Sequence, residues 1–376
     1  MRVLMQSRIN LFTCPGGDTI QLLKTKEYLE KIDVEVDVSV ELEPNLDGYD
    51  IVHLFNLTRV QETYIQMLNA KRQNKPIILS TVYWPSHEFE KIGQKGVRRL
   101  VSNMLSVNQI ESLKACYKYV FKGERNKGTR YLMTHSFDNM QRQILNLSDW
   151  FLPNSKLEMD QIEEVLNFKT DNYTVVPNAI DKERVVRSLE ENNDEFERFE
   201  NYILCVGRIE TRKNQENLIK ALEGSDYKVL FVGKVAPSHQ AYGDKILEQI
   251  EANSNYEYID SISNDLLYQL YKKCKVHILI SWFETPGLVS LEAASMGCNV
   301  VVSDRGTTKD YFKDYAFYCA PNDTADIRKA IDKAYKQQYD IGFREYILEN
   351  YTWEKAAEKT LEGYYLALQN RKVNSV

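Results

Sequence analysis

The chain has no C-x-x-C pair. Its six cysteines, Cys14, Cys116, Cys205, Cys274, Cys298 and Cys319, are scattered, most of them in apolar or strand-like runs such as "YILCVG". That spacing excludes a disulfide framework and reads as reduced, structural cysteine. Long hydrophobic runs are missing as well: the longest, such as "VHILISWF", fall far short of the ~20 residues that a membrane-spanning helix needs. The opening "MRVLMQSRINLF" lacks both the apolar core and the small-residue cleavage site of a signal peptide. Positive charge is not in excess, and a formal net charge of −6 argues against a general nucleic-acid binder. These absences predict a cytoplasmic protein. A "CPGGDT" loop follows the first apolar run without any G-x-G-x-x-G, which argues against a dinucleotide dehydrogenase.

What is present is a regular alternation. At 376 residues the chain exceeds one usual core, so two domains are expected. Short β-branched runs, "MRVLMQ", "VEVDVS", "DIVHLF", "PIILSTV" and "DWFLPNS", alternate with helical segments in the first half. The second half repeats the scheme with "YILCVGR", "YKVLFVGK", "YEYIDS", "VHILIS", "NVVVSD" and "AFYCAP". Continuous apolar strands separated by helices indicate parallel sheets covered on both faces. The fold class is therefore α/β, with two doubly wound, Rossmann-like domains. The joint falls in "YTVVPNAIDKERV", where Pro177-Asn178 ends an apolar strand, giving domains 1–177 and 178–351. The closing segment, about 352–376, is one amphipathic helix with Thr352 as a candidate N-cap and Glu354 in its first turn. No strand follows it, so it must pack on a domain already built.

Charge is unevenly spread. Lys91–Arg130 holds ten Lys or Arg against two acids, Glu111 and Glu124. Within it, Val97, Leu100, Val101, Met104 and Leu105 make one apolar helical face, and Lys114, Lys118 and Lys122 make a basic stripe. The stretch reads either as a solvated helix pair packed on the core or as a surface attracted to anionic lipid or a diphosphate-bearing acceptor. Aromatic interleaving that would favour single-stranded nucleic acid is lacking.

The chemistry concentrates in the second half. In "YILCVGRIETRKNQENLIKAL", Gly207 ends a strand, and Arg208 and Lys213 follow within six residues. Two cations beyond the carboxyl end of a parallel strand suit a diphosphate, Arg gripping two oxygens and Lys acting as a point charge. The stretch "SWFETPGLVSLEAASMG" then follows the strand "VHILIS". Gly287 lets the backbone approach a ligand, and the amides of Gly287, Leu288 and Val289 open a helix, a ready anion site. Glu284 precedes that helix and Glu292 lies within it, about two turns further on. A carboxylate among "EAASMG" needs donors, and ribose hydroxyls would supply them.

These motifs resemble the E-x7-E signature of the retaining glycosyltransferases of family 4, which have the two-domain GT-B fold. The likeness runs through "VGRIETRKNQENLIKAL", "FLPNS", "VVPNAID", "DLLYQLYKKCKVHILIS", "ETPGLVSLEAASMGCNVVVSD" and the "YTWEKAA" helix, and is looser in the first half. The resemblance implies a cleft between the domains and a terminal helix crossing back to the N-terminal one. It implies that Glu292 binds the donor ribose, that Glu284 faces the donor sugar or reacting centre, and that Arg208 and Lys213 neutralise the leaving diphosphate together with the Gly287–Val289 amides. Gly16 and Gly17 would stand on the N-terminal side, near phosphates and acceptor. The family's histidine after the strand "IILSTV" is replaced here by Tyr83, followed by Trp84, with His87 a few residues on; these are the candidates for its contact with donor sugar or acceptor. Asp310 in "RGTTKDYF" stands where the family often has glutamate.

The implied activity is metal-independent, retaining transfer from a UDP- or GDP-linked sugar to a glycan or lipid-linked acceptor. No cofactor is expected, and no Asp-x-Asp pair is available to hold a metal. The basic stretch adds a peripheral place on the inner membrane face. Two other readings keep the fold: a sugar-nucleotide epimerase, which needs no acceptor, and a catalytically silent module that binds nucleotide or glycan.

Overall fold

A computed structural model describes residues 1–85, 88–93, 105, 107–121, 123–191, 194–285 and 287–373. The chain divides into two compact units. The N-terminal unit comprises Met1–Pro85, Gly96–Asn178 and Trp353–Val376; the C-terminal unit comprises Ala179–Thr352 and the segment Ser86–Lys95.

The N-terminal unit is built on five parallel strands: β1 (Arg2–Gln6), β2 (Glu35–Ser39), β3 (Ile51–Phe55), β4 (Ile77–Ser80) and β5 (Trp150–Phe151), in the order β2-β1-β3-β4-β5. Val3 of β1 faces Val36 on one side and Ile51 on the other. All five residues of β3 are buried, as expected of a central strand covered on both faces. The closing helix Trp353–Val373 belongs to this unit. It packs beside the helix Gly17–Glu30, and its Tyr364 hydroxyl lies 2.8 Å from Nδ1 of the buried His53 on β3.

The C-terminal unit carries β6 (Ile203–Val206), β7 (Val229–Val232), β8 (Tyr256–Ile259), β9 (Val276–Leu279), β10 (Asn299–Ser303) and β11 (Phe317–Cys319), all parallel, in the order β11-β10-β9-β6-β7-β8. Alternate residues of β6 enter different cores. Leu204 and Val206 join Leu230, Tyr271 and Leu291 on one face, while Ile203 and Cys205 join Phe231, Ile278 and Ile327 on the other. This two-sided burial is why the strands read as continuous apolar runs.

The described residues of Ser86–Lys95 are held to this unit by side chains. The Phe89 ring lies 6.2 Å from that of Trp282 and 6.4 Å from that of Phe283, and Arg305 Nε donates to Glu88 at 2.7 Å. Among the described residues, no helix is long and apolar enough to cross a membrane. All six cysteines are free; Cys14 and Cys116 are exposed and the other four buried.

Candidate active site

Strand order in the C-terminal unit reverses between β6 and β9: the chain winds outward from β6 through β7 and β8, then from β9 through β10 and β11. Loops leaving adjacent strands in opposite directions open a crevice at the carboxyl ends, where open α/β sheets take ligands. Arg208 and Lys213 follow β6; Glu284, Gly287, Leu288, Val289 and Glu292 follow β9.

The two exit loops are tied together. After β6 the chain makes a tight turn at Thr211–Lys213 and reverses at Asn214, which adopts a left-handed φ of 65°. Asn214 Nδ2 donates to the carbonyls of Ile280 (3.1 Å) and Pro321 (2.7 Å), and the Trp282 amide donates to the Arg212 carbonyl (2.9 Å). Lys213 Nζ thereby reaches Glu284 Oε1 at 2.6 Å. Arg212 Nη1 donates to the same oxygen (3.2 Å) and to the Phe283 carbonyl (3.0 Å), while its Nη2 donates to Glu210 (3.1 Å). Burial alone would raise the Glu284 pKa, but Lys213 and then Arg212 outweigh it and hold the group down at about 2. Glu284 is thus ionised at any working pH.

A third loop fixes the Glu284 backbone. The Thr307 amide donates to the Glu284 carbonyl (2.9 Å), and Gly306, at φ +87°, lies so close that a Cβ there would meet that carbonyl oxygen at 2.1 Å. Only glycine fits this contact. Arg208 is the most accessible of the three cations, with 44% of its side chain exposed and a distance of 3.7 Å to Glu210.

The helix Leu288–Met296 begins at Gly287, whose φ of 86° turns the chain into it, and among the described residues no side chain caps that end. The Ser290 amide donates to the Gly287 carbonyl (2.9 Å), and the Leu288 and Val289 amides stand on the side where the helix dipole favours an anion. Buried Ser290, Ala293, Ala294 and Ser295 let it lie close, and Ser290 Oγ sits 3.0 Å from His277 Nε2 on β9. Glu292 is half-buried on this helix, with a long hydrogen bond from the Tyr271 hydroxyl at 3.3 Å. Burial lifts its pKa to about 7, against the opposing effects of Tyr271 and Arg184. It is an under-supplied acceptor, as a carboxylate awaiting hydroxyl donors should be.

The N-terminal candidates are placed differently. Gly16 caps the helix Gly17–Glu30, and its amide donates to Thr19 Oγ1 at 3.0 Å, so that amide already has a partner; a Cβ on Gly17 would meet nothing within 4 Å. Arg8 braces the same loop through Asp18, at 2.6 and 2.9 Å. Tyr83, one of the candidates for the family histidine's contact, is 5% exposed, within the core cluster that includes Phe137 and Met140. Its preceding residue Val82 stands at φ +42°, a strained value for a β-branched side chain, and this turns Tyr83 inward. Trp84 is half-buried. His87 lies outside the described residues.

Three residues escaped the sequence reading. Arg212 and Glu210 sit inside the motif "RIETRK", but periodicity gave no reason to bring Arg212 and its neighbour Lys213 to one acid; the tight turn does. Glu158 accepts from the Tyr83 amide (2.8 Å), the Asn154 amide (2.9 Å) and the Thr81 hydroxyl, and so holds the strained β4 exit. Its signal was the S-x-x-E spacing of a capping box at Ser155 and Glu158.

Residues 187–353 match the family described as glycosyl transferases group 1. An uncharacterized glycosyltransferase of Methanocaldococcus jannaschii is 28% identical over 241 residues, covering 57% of this chain and 59% of that protein. The serotype-specific mannosyltransferase WbdA of Escherichia coli is 27% identical over 168 residues, 43% of this chain and 20% of WbdA. The chain thus spans less than two thirds of the length of either relative. The likeness to sucrose-phosphate synthase from Thermosynechococcus elongatus is one of fold: TM-score 0.69 at 14% identity, over 98% of this chain and 99% of that one. The two parallel-sheet units are those of the GT-B fold, and residues 187–353 of the C-terminal unit are similar to the glycosyl transferases group 1 family.

Proposed function

We propose that the chain is a retaining glycosyltransferase that moves a sugar from a UDP- or GDP-linked donor to a hydroxyl of a glycan or lipid-linked acceptor in glycoconjugate synthesis. The observation that carries this reading is the crevice between β6 and β9, where Arg212 and Lys213 meet Glu284, with Arg208 on the same loop, beside the helix start at Gly287. In this reading the diphosphate lies against Arg208 and the Leu288 and Val289 amides, the ribose hydroxyls donate to Glu292, and Glu284 faces the sugar. The acceptor hydroxyl enters on the face from which the phosphate leaves, forming the new glycosidic bond as the sugar–phosphate bond breaks, and the departing phosphate takes the hydroxyl proton. Preorganised cations and amides supply the charge stabilisation, so a chelator should leave the rate unchanged. Gly16, Gly17 and Trp84 belong to the acceptor-facing side, and the basic Lys91–Arg130 stretch draws the protein to anionic membrane.

Thermal-shift measurement against UDP, GDP, ADP and their sugar conjugates tests it, because a ligand that binds only the native state raises Tm by mass action. A shift with one nucleotide, lost in Glu292→Ala, is expected. No shift with any of them would sink the reading, and a product formed without acceptor would replace it by an epimerase.

A further inference from the structure

Four large apolar side chains stand exposed along one helix. In Val107–Phe121, Leu113, Tyr117, Val120 and Phe121 are each between 54 and 74% exposed. At 3.6 residues per turn they fall within an arc of about 100°. Ala115, on the opposite side of the helix, is buried. The helix therefore turns a small residue inward and its bulky apolar ones outward, the reverse of an ordinary surface helix. Tyr117 and Phe121 pack on each other, ring centroids 5.3 Å apart, and extend the apolar face beyond any single side chain. Leu113 also lines an open groove of about 500 Å³ with Leu105, Met133 and His135, so the stripe continues into a concavity.

The setting is basic. Lys91–Arg130 has an excess of eight positive charges in a chain whose net charge is −6. Lys114, next to Leu113, and Arg125, beyond Phe121, are exposed, and Arg125 and Arg130 both lie over the Tyr119 ring. An apolar stripe with aromatic members, flanked by cations, has the chemistry of a helix lying in a lipid headgroup layer.

We propose that the Leu113–Tyr117–Val120–Phe121 face inserts at the headgroup–acyl boundary of an anionic bilayer, with the neighbouring cations on lipid phosphates. The inference rests on the reading of the chain as a transferase acting on membrane-borne acceptors and adds the anchor. Attraction by charge alone is lost in salt, whereas apolar insertion persists. The anchor also orients the N-terminal unit, because a helix in the interface plane fixes which face of that unit meets the lipid.

Sedimentation of the full chain with vesicles of equal parts phosphatidylglycerol and phosphatidylcholine reads it. Binding is expected to weaken but persist at high salt, and Leu113→Asp with Phe121→Asp should lower partitioning at least about tenfold. Val186→Asp, at an exposed apolar site on the C-terminal unit, should leave partitioning unchanged. A fluorophore on Cys116, in a Cys14→Ser background, should shift to the blue on vesicles. The proposal is overturned if vesicles do not bind, if salt abolishes binding and the aspartates change nothing, or if the aspartates instead convert a dimer to a monomer. Nucleotide binding is read separately by thermal shift: vesicle binding without nucleotide binding sinks the transferase reading and leaves the anchor standing.

Discussion

Lys213 Nζ and Glu284 Oε1 lie 2.6 Å apart with only 12 and 9% of their side chains exposed, a buried ion pair made by two loops that leave different strands of one sheet. The pair locks the β6 exit to the β9 exit and holds the carboxylate ionised where the crevice opens. Taking one member away leaves the other charge enclosed.

Glu284→Ala is therefore expected to destabilise the protein by about 3–5 kcal/mol, as for other buried pairs cut on one side, and Lys213→Ala by less, because Arg212 still donates to Glu284 Oε1 at 3.2 Å. The double substitution should cost less than the sum, since each charge is expensive chiefly without its partner. Glu284→Gln, which keeps an acceptor for both cations, should lose less than Glu284→Ala. Urea unfolding of the parent and the four variants measures this; additive losses would show that the pair contributes nothing beyond its members.

Arg208 tests the site without testing the fold. Its side chain is largely accessible and its nearest acid is 3.7 Å away, so Arg208→Ala should change Tm little. A charged hydrogen-bond donor lost from a diphosphate amounts to about 1.5–3 kcal/mol, or roughly 10- to 150-fold in Kd. Calorimetry should find that loss with the nucleoside diphosphate and a much smaller one with the nucleoside. Equal losses for both would move Arg208 away from the phosphates.

Much of this was legible in the sequence because the relevant signals are local. Among the described residues most strands, such as β3, β6, β7 and β9, are short apolar runs bounded by turn residues, and the helix start after β9 is written in Gly287 and the small residues after it. What could not be read depends on contacts between distant segments. Arg212 meets Glu284 only because Asn214 ties the β6 exit to Ile280 and Pro321. The burial of Tyr83, which follows β4 at its carboxyl end, depends likewise on Glu158, 75 residues on, which accepts from the Tyr83 amide. The segment around Phe89 sits among first-half strands in sequence, yet it packs on Trp282 and Phe283. Side-chain periodicity carries no information on such pairings.

Glu292 should impose a pH dependence of definite sign. Burial raises its pKa to about 7 in the folded chain, so the folded state holds this proton more tightly than the unfolded one. Its stabilising contribution is complete below the ordinary carboxylate pKa and is lost as pH rises through 7. Glu292→Gln should therefore gain Tm relative to the parent at pH 8 and not at pH 5. Tyr268 and Tyr271, both pushed well above their usual range by burial, stay neutral throughout. Nucleotide affinity should move the other way, rising from pH 6 to 8 in the parent as the carboxylate ionises, and staying low and flat in Glu292→Gln. Paired melting and binding curves check both signs; a parent affinity that falls with pH would contradict the ribose role.

His53 and Tyr364 set the hold of the closing helix on its own unit. His53 Nδ1 meets the Tyr364 hydroxyl and Nε2 meets Ser80 Oγ, each at 2.8 Å, inside a sheet face closed to solvent. Burial lowers the His53 pKa to about 3, so the ring is neutral at every working pH. Tyr364→Phe fills the same space but leaves Nδ1 unpartnered, at a cost of about 1–3 kcal/mol. Because the ring carries no charge in the folded chain, that cost should be the same at pH 7 and pH 8. Below pH 6.5 the parent itself should weaken, as the unfolded imidazole takes a proton that the folded one refuses. Hydrogen exchange adds the location: amides of Trp353–Val373 should lose protection in Tyr364→Phe while those of β6 to β11 keep theirs. A uniform loss across both units would show that the contact serves the whole chain and not this helix.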